Sequence, residues 1–238
     1  MTGNMVVKVK KEGNKSSGRA KALLEDKIKK VAIAEVLQPE FELTKQYLNV
    51  NELIFKEDVP VIETVIIDKG KNEARVYFPV KGENYYFLIY MDIRPLIKVR
   101  IMCMAAGNWV SLYVISKNTS LKKLLRTSGM EPTSKWEKGE KRTCGRGTYR
   151  FSGFTIQPDE TKAGEVEEKI EKLLNQLRPH NEEIQKLLEI ADVELDIAYF
   201  GYKDEMWGLN FKSELIQKMA ELGISIDIDL YASGPDLE

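Results

Sequence analysis

The chain has 238 residues, of which 43% are hydrophobic and 31% are charged. This apolar content is sufficient for packed cores, which excludes a wholly disordered chain, and the length suits two domains of about 120 residues each. Lysine and arginine total 36 and aspartate and glutamate total 37, so the formal net charge of −1 argues against a nucleic-acid partner that is held by a large positive charge.

The rare residue types exclude several kinds of site. The one histidine, His180, follows a proline at a predicted break between two helices, so no site can use two histidines. Cys103 and Cys144 form no C-x-x-C pair, which excludes zinc ribbons and thioredoxin-type redox sites, and the sequence does not decide whether they pair with each other. No secretory signal and no apolar run of about 20 residues occurs, so we expect a cytoplasmic protein without membrane contact.

The first half of the chain predicts helices followed by an antiparallel meander. Residues 1–19 are expected to form a flexible lead. In residues 20–108, a helix runs from about Ala20 to just before Pro39, and a second short helix lies within 41–53. Period-two apolar patterns separated by turn residues then predict strands at 61–67, 74–80, 85–91 and 96–104.

Residues 109–231 predict a second set of strands and helices, and residues 232–238 are expected to fray. Strands are predicted at 109–116, 149–156, 193–202, 206–211 and 224–231. Helices are predicted after the capping residue Ser120, over 164–177, after Pro179, and over 212–222, where Gly223 ends the last one. The predicted fold class is α+β, with two domains that each pack a mainly antiparallel sheet against helices.

Acidic residues alternate with aliphatic residues in two predicted strands near the carboxyl end. Asp192, Glu194 and Asp196 lie two positions apart, as do Asp227 and Asp229. Side chains two apart on a strand share a face, so the aliphatic residues between them are expected to face helices while the carboxylates face outward. If the two strands are neighbours, the crowded charges call for compensation, for which Arg146 and Arg150, a basic ligand, a metal or a protein partner are candidates. The alternative is a face of solvated or internally paired carboxylates.

Basic and aromatic residues alternate in the glycine-rich loop over 128–148 and just beyond it. The cations considered as binding candidates are Lys138, Arg142, Arg146 and Arg150, beside Trp136. Cations with aromatic rings suit phosphates or single-stranded nucleic acid, so a phosphorylated ligand of either kind is one interpretation, and a solvated loop that pairs with the acidic half is the other. Residues 117–150 carry a net charge of +7 and residues 151–238 a net charge of −12.

Four segments of the second half carry a resemblance to a known family. They are WVSLYV at 109–114, MEPTSKWEKGE at 130–140, SGF at 152–154 and LGISIDIDLY at 222–231. Over roughly residues 109–231 the chain resembles the bacterial domain-of-unknown-function family 4279, with Phe154 at a position where we often expect tryptophan. The resemblance implies an α+β fold and transfers no catalytic residues, and residues 1–108 show no such resemblance.

The sequence favours a non-enzymatic cytoplasmic protein that recognises a protein partner through a charged surface and needs no cofactor or metal. Immunity proteins that bind toxins are an analogy for small α+β domains with oppositely charged surfaces. The alternative is an enzyme or small-ligand protein. It would use the carboxylate face with a divalent cation, or the basic loop with a phosphorylated compound.

Overall fold

A computed structural model describes residues 13–143, 145–158 and 161–237. The helices are α1 (Gly13–Leu37), α2 (Glu42–Val50), α3 (Leu121–Ser128), α4 (Val166–Leu177), α5 (Asn181–Leu188) and α6 (Ser213–Leu222), with a short 3₁₀ turn at Arg178–His180. The strands are β1 (Phe55–Lys56), β2 (Val59–Pro60), β3 (Thr64–Asp68), β4 (Glu73–Pro79), β5 (Tyr86–Asp92), β6 (Lys98–Ala105), β7 (Gly107–Ser116), β8 (Ser134–Trp136), β9 (Ser152–Ile156), β10 (Asp192–Tyr202) and β11 (Ser225–Ser233). The predicted α+β class is confirmed.

The first half forms a four-stranded antiparallel sheet in the order β3-β4-β5-β6. Its strands alternate in period two, and one face buries Val76, Phe78 and Ile89 against Ile28 and Ala32 of α1. The three- and four-residue spacing of the apolar positions in α1 places them on one side of the helix, which explains this packing.

The second half forms a five-stranded sheet in the order β11-β10-β7-β9-β8. Neighbouring strands are antiparallel except β10 and β11, which run parallel and are connected through α6. The core residues of α3, α4, α5 and α6 pack with the alternate sheet residues Leu112, Phe154 and Leu195, so the four helices cover one face of this sheet.

The two halves of the chain are in direct contact. Ala106 alone separates β6 from β7, and the Arg75 guanidinium of β4 contacts Glu165 and Glu168 at the start of α4, with N···O distances of 3.1 and 2.8 Å. The phenol of Tyr47 donates a hydrogen bond to Glu205. The division into two domains at residue 108 stays a prediction.

Three local expectations are wrong. Helix α1 already includes residues 13–19, where a flexible lead was expected, and residues 1–12 lie outside the described residues. Residues 206–211 form no strand, because Trp207 folds back over Gly201 and donates its indole N–H to the carbonyl of Tyr202 at 3.1 Å.

The third wrong expectation concerns the tail over 232–238. Strand β11 continues to Ser233, Lys203 forms an ion pair with Asp236 at 2.6 Å, and Leu237 packs against the core of the first half. The tail is therefore held by contacts as far as residue 237. Among the described residues, no helix is both long and apolar enough to cross a membrane.

Candidate functional site

The face of the five-stranded sheet opposite α3–α6 carries the candidate site, and we call it the open face. Three rows of side chains cross it, and the strand register defines them. They are Tyr113, Glu194 and Ser225; Ser111, Asp196 and Asp227; and Trp109, Ala198 and Asp229. The next row, nearer the end of β10, joins Phe200 to Tyr231.

Four of the predicted carboxylates, Glu194, Asp196, Asp227 and Asp229, therefore lie together on neighbouring strands. Asp196 lies directly opposite Asp227, and the hydroxyl of Ser111 donates a hydrogen bond to the Asp196 carboxylate at 3.4 Å. Asp192 points to the same side at the start of β10. The aliphatic residues between the acids on β10 point to the helices, and Leu195 and Ile197 are fully buried, as expected.

Burial and like charge both act on the acids of β10. Burial raises the pKa of Glu194, and the neighbouring charges of Asp227, Asp196 and Asp192 raise it further. Burial also raises the pKa of Asp196, the charges of Asp229 and Asp227 add to the rise, and the hydrogen bond from Ser111 opposes it. Both shifts mean that the open face favours the uncharged forms of these two acids.

The carboxylates of the open face have no basic partner within the described part of the chain. None of the five predicted acids forms an ion pair there with a lysine or an arginine. Arg146 and Arg150, the two candidates within the chain, are exposed, and neither is among the ion pairs of the described residues. Of the four sources of compensation, a basic ligand, a metal and a protein partner remain.

A stack of aromatic rings borders the acids at the β8 side. Trp136 lies between Tyr113 and Tyr149, with ring centroids 5.6 and 5.5 Å apart and interplanar angles of 30° and 25°. Gly153 makes room for this packing, because a Cβ atom there would lie 2.7 Å from the Trp136 ring. Trp136 stacks with both tyrosines and is only 9% exposed, so it anchors the loop and offers no open ring face to a nucleic-acid base.

A second aromatic cluster borders the acids at the other end. Phe200 stacks on Tyr231 with centroids 4.9 Å apart, and Trp109 meets Phe200 edge-on at 5.8 Å. The ammonium of Lys162 lies 4.2 Å from the Trp109 ring centroid and 2.6 Å from the Asn84 side-chain oxygen. This end of the open face therefore already holds one cation over an aromatic ring.

The basic loop is a hairpin beside the Trp136 stack. Gly139 and Tyr149 are joined by a backbone hydrogen bond of 2.9 Å, and Arg142 is joined to Gly147 by one of 3.1 Å. The Arg142 guanidinium lies 5.9 Å from the Tyr149 ring centroid, which brings this one predicted cation to the border of the open face. Lys138 instead donates to the carbonyl of Lys117 at 3.1 Å.

The glycines of this hairpin adopt the left-handed backbone conformation that its turns require. The φ angles of Gly139, Gly145 and Gly147 are 90°, 82° and 97°, and nothing lies within 4 Å of a Cβ atom built on any of them. The left-handed backbone explains these glycines without a ligand. Cys144 lies outside the described residues, and Cys103 is a free, half-buried thiol in β6.

A groove of about 650 Å³ between α4 and α6 is a second acidic concavity, and several of its acids already have partners. Glu171 contacts the Lys218 ammonium at 2.7 Å, and Glu167 accepts a hydrogen bond from the backbone N–H of Asn210 at 2.7 Å. Its other acids include Glu165, which contacts Arg75. The open face differs because its acids lack such partners in the described chain.

Three aromatic residues of the site, Trp109, Phe200 and Tyr231, were missed as candidates by the sequence analysis. Phe200 continues the period-two series that begins at Asp192, and Tyr231 continues the series of Asp227 and Asp229. That alternation places them on the carboxylate face and could have identified them. No local signal brings Trp109 next to Phe200, because the pairing of β7 with β10 joins segments about 90 positions apart.

No metal centre is assembled in the part of the chain that the structure describes. No group of three or more histidine, cysteine, aspartate or glutamate side chains is arranged there to hold a metal ion. The carboxylates of the open face are spread along the strands rather than converging on one point, and His180 lies in the short turn between α4 and α5.

Comparison with known proteins supplies a family. A family model described as a domain of unknown function (DUF4279) matches residues 105–233, which is more than half of the chain and includes the whole open-face sheet. No curated protein and no solved structure matches the chain. The resemblance found in the sequence is thus confirmed, and the chain belongs to the DUF4279 family of unknown function.

Proposed function

We propose that this protein is a non-enzymatic interaction protein of the bacterial cytoplasm, and that its open face binds a cationic segment of a partner protein. One observation carries the proposal. Glu194, Asp196, Asp227 and Asp229 lie side by side on two strands, and no lysine or arginine of the described chain forms an ion pair with them.

The energetics support a cationic occupant. Like charges opposite each other on neighbouring strands are destabilising, so a bound cation relieves repulsion in addition to forming new contacts. The aromatic clusters at the two ends supply apolar contact for the long hydrocarbon stems of lysine or arginine. Lys162 over Trp109 is an example of that contact within the chain itself.

The alternatives have less support. A phosphorylated ligand on the basic hairpin lacks a stacking platform, since Trp136 is covered by Tyr113 and Tyr149. A divalent-metal enzyme lacks a convergent set of ligands among the described residues. A thermal-shift series with Mg²⁺, Ca²⁺ and nucleotides tests both, because a specific ligand raises the melting temperature.

The test of the proposal uses decalysine as the probe. The variant E194Q/D196N/D227N/D229N removes four charges from the open face, while the control E182Q/E189Q/E214Q/E221Q removes four charges from exposed positions on or beside α5 and α6. We expect decalysine to bind the native protein at low salt, and the open-face variant to lose at least about tenfold in affinity while the control loses less than about twofold. Equal losses in the two variants would show that net charge alone attracts the probe, and the proposal would then be wrong.

A further inference from the structure

Strand β11 exposes its outer edge along its whole length. It lies at the end of the five-stranded sheet, and no other strand of the described residues pairs with its outer side. An uncovered edge of nine residues is long, since natural proteins usually shorten, twist or cover the edges of their sheets.

The hydrogen-bond pattern identifies the backbone groups that this edge exposes. The N–H of Lys203, just after β10, donates to the carbonyl of Ser233 at 3.0 Å, so Ser233 directs its backbone groups toward β10. Backbone groups alternate in direction from one residue to the next along a strand. The alternate residues Ile226, Ile228 and Leu230 therefore direct their N–H and C=O groups outward.

The two sides of this edge differ in chemistry. Asp227 and Asp229 lie on the open face, while Ile226, Ile228 and Leu230 lie on the side of the helices. The helices do not reach the whole edge, so Ile226 is 40% exposed and Leu230 is 56% exposed, contrary to the expectation that both are packed against helices. The edge thus presents carboxylates on the open face, aliphatic side chains on the side of the helices, and unpaired backbone groups between them.

Charge decides which strand fits there. A second copy of β11 would bring its own Asp227 and Asp229 beside those of the first copy, and opposed like charges are destabilising. A strand that alternates basic and apolar residues instead places cations beside the carboxylates and apolar side chains beside Ile226 and Leu230.

We propose that the partner binds by strand addition, with an extended segment of alternating basic and apolar residues pairing with the outer edge of β11. This inference rests on the proposed function and names the shape and sequence pattern of the cationic segment. The backbone hydrogen bonds supply affinity that does not depend on sequence, and the two faces of the added strand supply specificity.

The probe is the nonapeptide KVKVKVKVK, compared with two backbone-methylated forms. One form carries N-methyl groups on all valines and the other on all lysines, and each removes the hydrogen-bond donors of one edge of the peptide only. With the valines on the helix side, antiparallel addition directs the valine N–H groups toward β11 and parallel addition directs the lysine N–H groups toward it. We expect one methylated form to lose at least about tenfold in affinity while the other binds nearly as the parent does.

Protein variants test the apolar side of the same edge. Leu230→Lys is expected to weaken binding of the parent peptide about tenfold, because it replaces an apolar contact with a like charge. The matched control is Ile216→Lys, since Ile216 is similarly exposed, at 51%, and lies on α6 rather than on β11. Equal effects of the two variants would contradict the proposal.

The outcomes separate this inference from the proposed function. Equal affinities of the two methylated peptides would show that strand addition is wrong. The proposed function would still stand if the open-face variant E194Q/D196N/D227N/D229N binds the parent peptide more weakly than the native protein does. If the parent peptide binds the E194Q/D196N/D227N/D229N variant as tightly as the native protein, both strand addition and the proposed function are wrong. Sedimentation of the native protein and of Leu230→Lys gives a further test. A native dimer that Leu230→Lys dissociates would contradict strand addition by a partner, because a second copy would then occupy the edge.

Discussion

Replacing Asp196 by asparagine removes one charge from the centre of the open face while keeping an oxygen that can accept the hydrogen bond of Ser111. Asp227 lies directly opposite on the neighbouring strand, and Glu194 lies two residues along the same strand. Two charges about 6 Å apart repel by about 0.7 kcal/mol at the dielectric constant of water and by about 3 kcal/mol at an effective value near 20. Salt weakens this repulsion, and like-charge pairs across strands cost up to about 1 kcal/mol.

We therefore expect Asp196→Asn to stabilise the protein by about 1 kcal/mol at pH 7, which corresponds to a rise of about 2–4 °C in melting temperature for a chain of this size. The pKa of Asp196 is raised in the folded state, so the folded protein holds this proton to higher pH than the unfolded chain. Native stability consequently falls as pH rises above the unfolded value of about 3.9, so the advantage of the variant shrinks as pH falls toward 4 and is lost below it.

Thermal unfolding at pH 4 and pH 7 measures the difference in melting temperature between the variant and the native protein. Each measurement is made at low salt and at about 1 M NaCl, where the screening length is only about 3 Å and the difference should be smaller. The control is Asp68→Asn. Asp68 accepts backbone hydrogen bonds from Lys71 at 3.0 Å and Gly70 at 2.9 Å, and its pKa is lowered chiefly by the Lys71 bond. That variant should lose stability at pH 7, and the loss should shrink as pH falls. A less stable Asp196→Asn protein at pH 7 would refute the reasoning, because it would reveal a stabilising partner for this carboxylate.

Three further changes test the packing around the site. Arg75→Leu should lose about 2–3 kcal/mol in urea unfolding, because Arg75 is buried and joins the first sheet to the start of α4 through Glu165; an unchanged midpoint would contradict this, and two separate transitions would support the two-domain prediction. Gly201→Ala should cost about 1–3 kcal/mol and alter tryptophan fluorescence, because the new Cβ would lie 2.2 Å from the Trp207 ring; unaltered emission would argue against this packing. Leu237→Ala should lower the free energy of unfolding by about 1 kcal/mol, because Leu237 packs against the core of the first half, and an unchanged melting temperature would contradict that contact.

Local periodicity accounts for the features of the site that could be predicted from the sequence. The alternation from Asp192 to Ile197 requires carboxylates on one face of a strand and aliphatic side chains on the other, whichever strands lie beside it. Helix ends are local in the same way. Ser120 caps α3 by accepting the Lys123 N–H at 3.4 Å, and Gly223 ends α6 with a φ angle of 66°.

Features that depend on distant segments were predicted less well. The expected strand over 206–211 is absent, and in its place Trp207 packs back on Tyr199 and Gly201 of β10, which no local pattern predicts. The positive charge of the basic hairpin suggested that it pairs with the acidic half of the chain. In the structure, the hairpin lies beside the Trp136 stack, where Arg142 contacts the ring of Tyr149.

The sequence by itself determined which side chains share a face along each strand, because that depends only on the two-residue repeat of an extended backbone. Only the tertiary structure decided that β11 lies parallel to β10 at an uncovered edge, which places Asp227 beside Asp196 and leaves Leu230 in solvent. The physical reason is that strand order and direction follow from the packing of α6 and the other helices on one face, and these contacts join residues far apart in the chain.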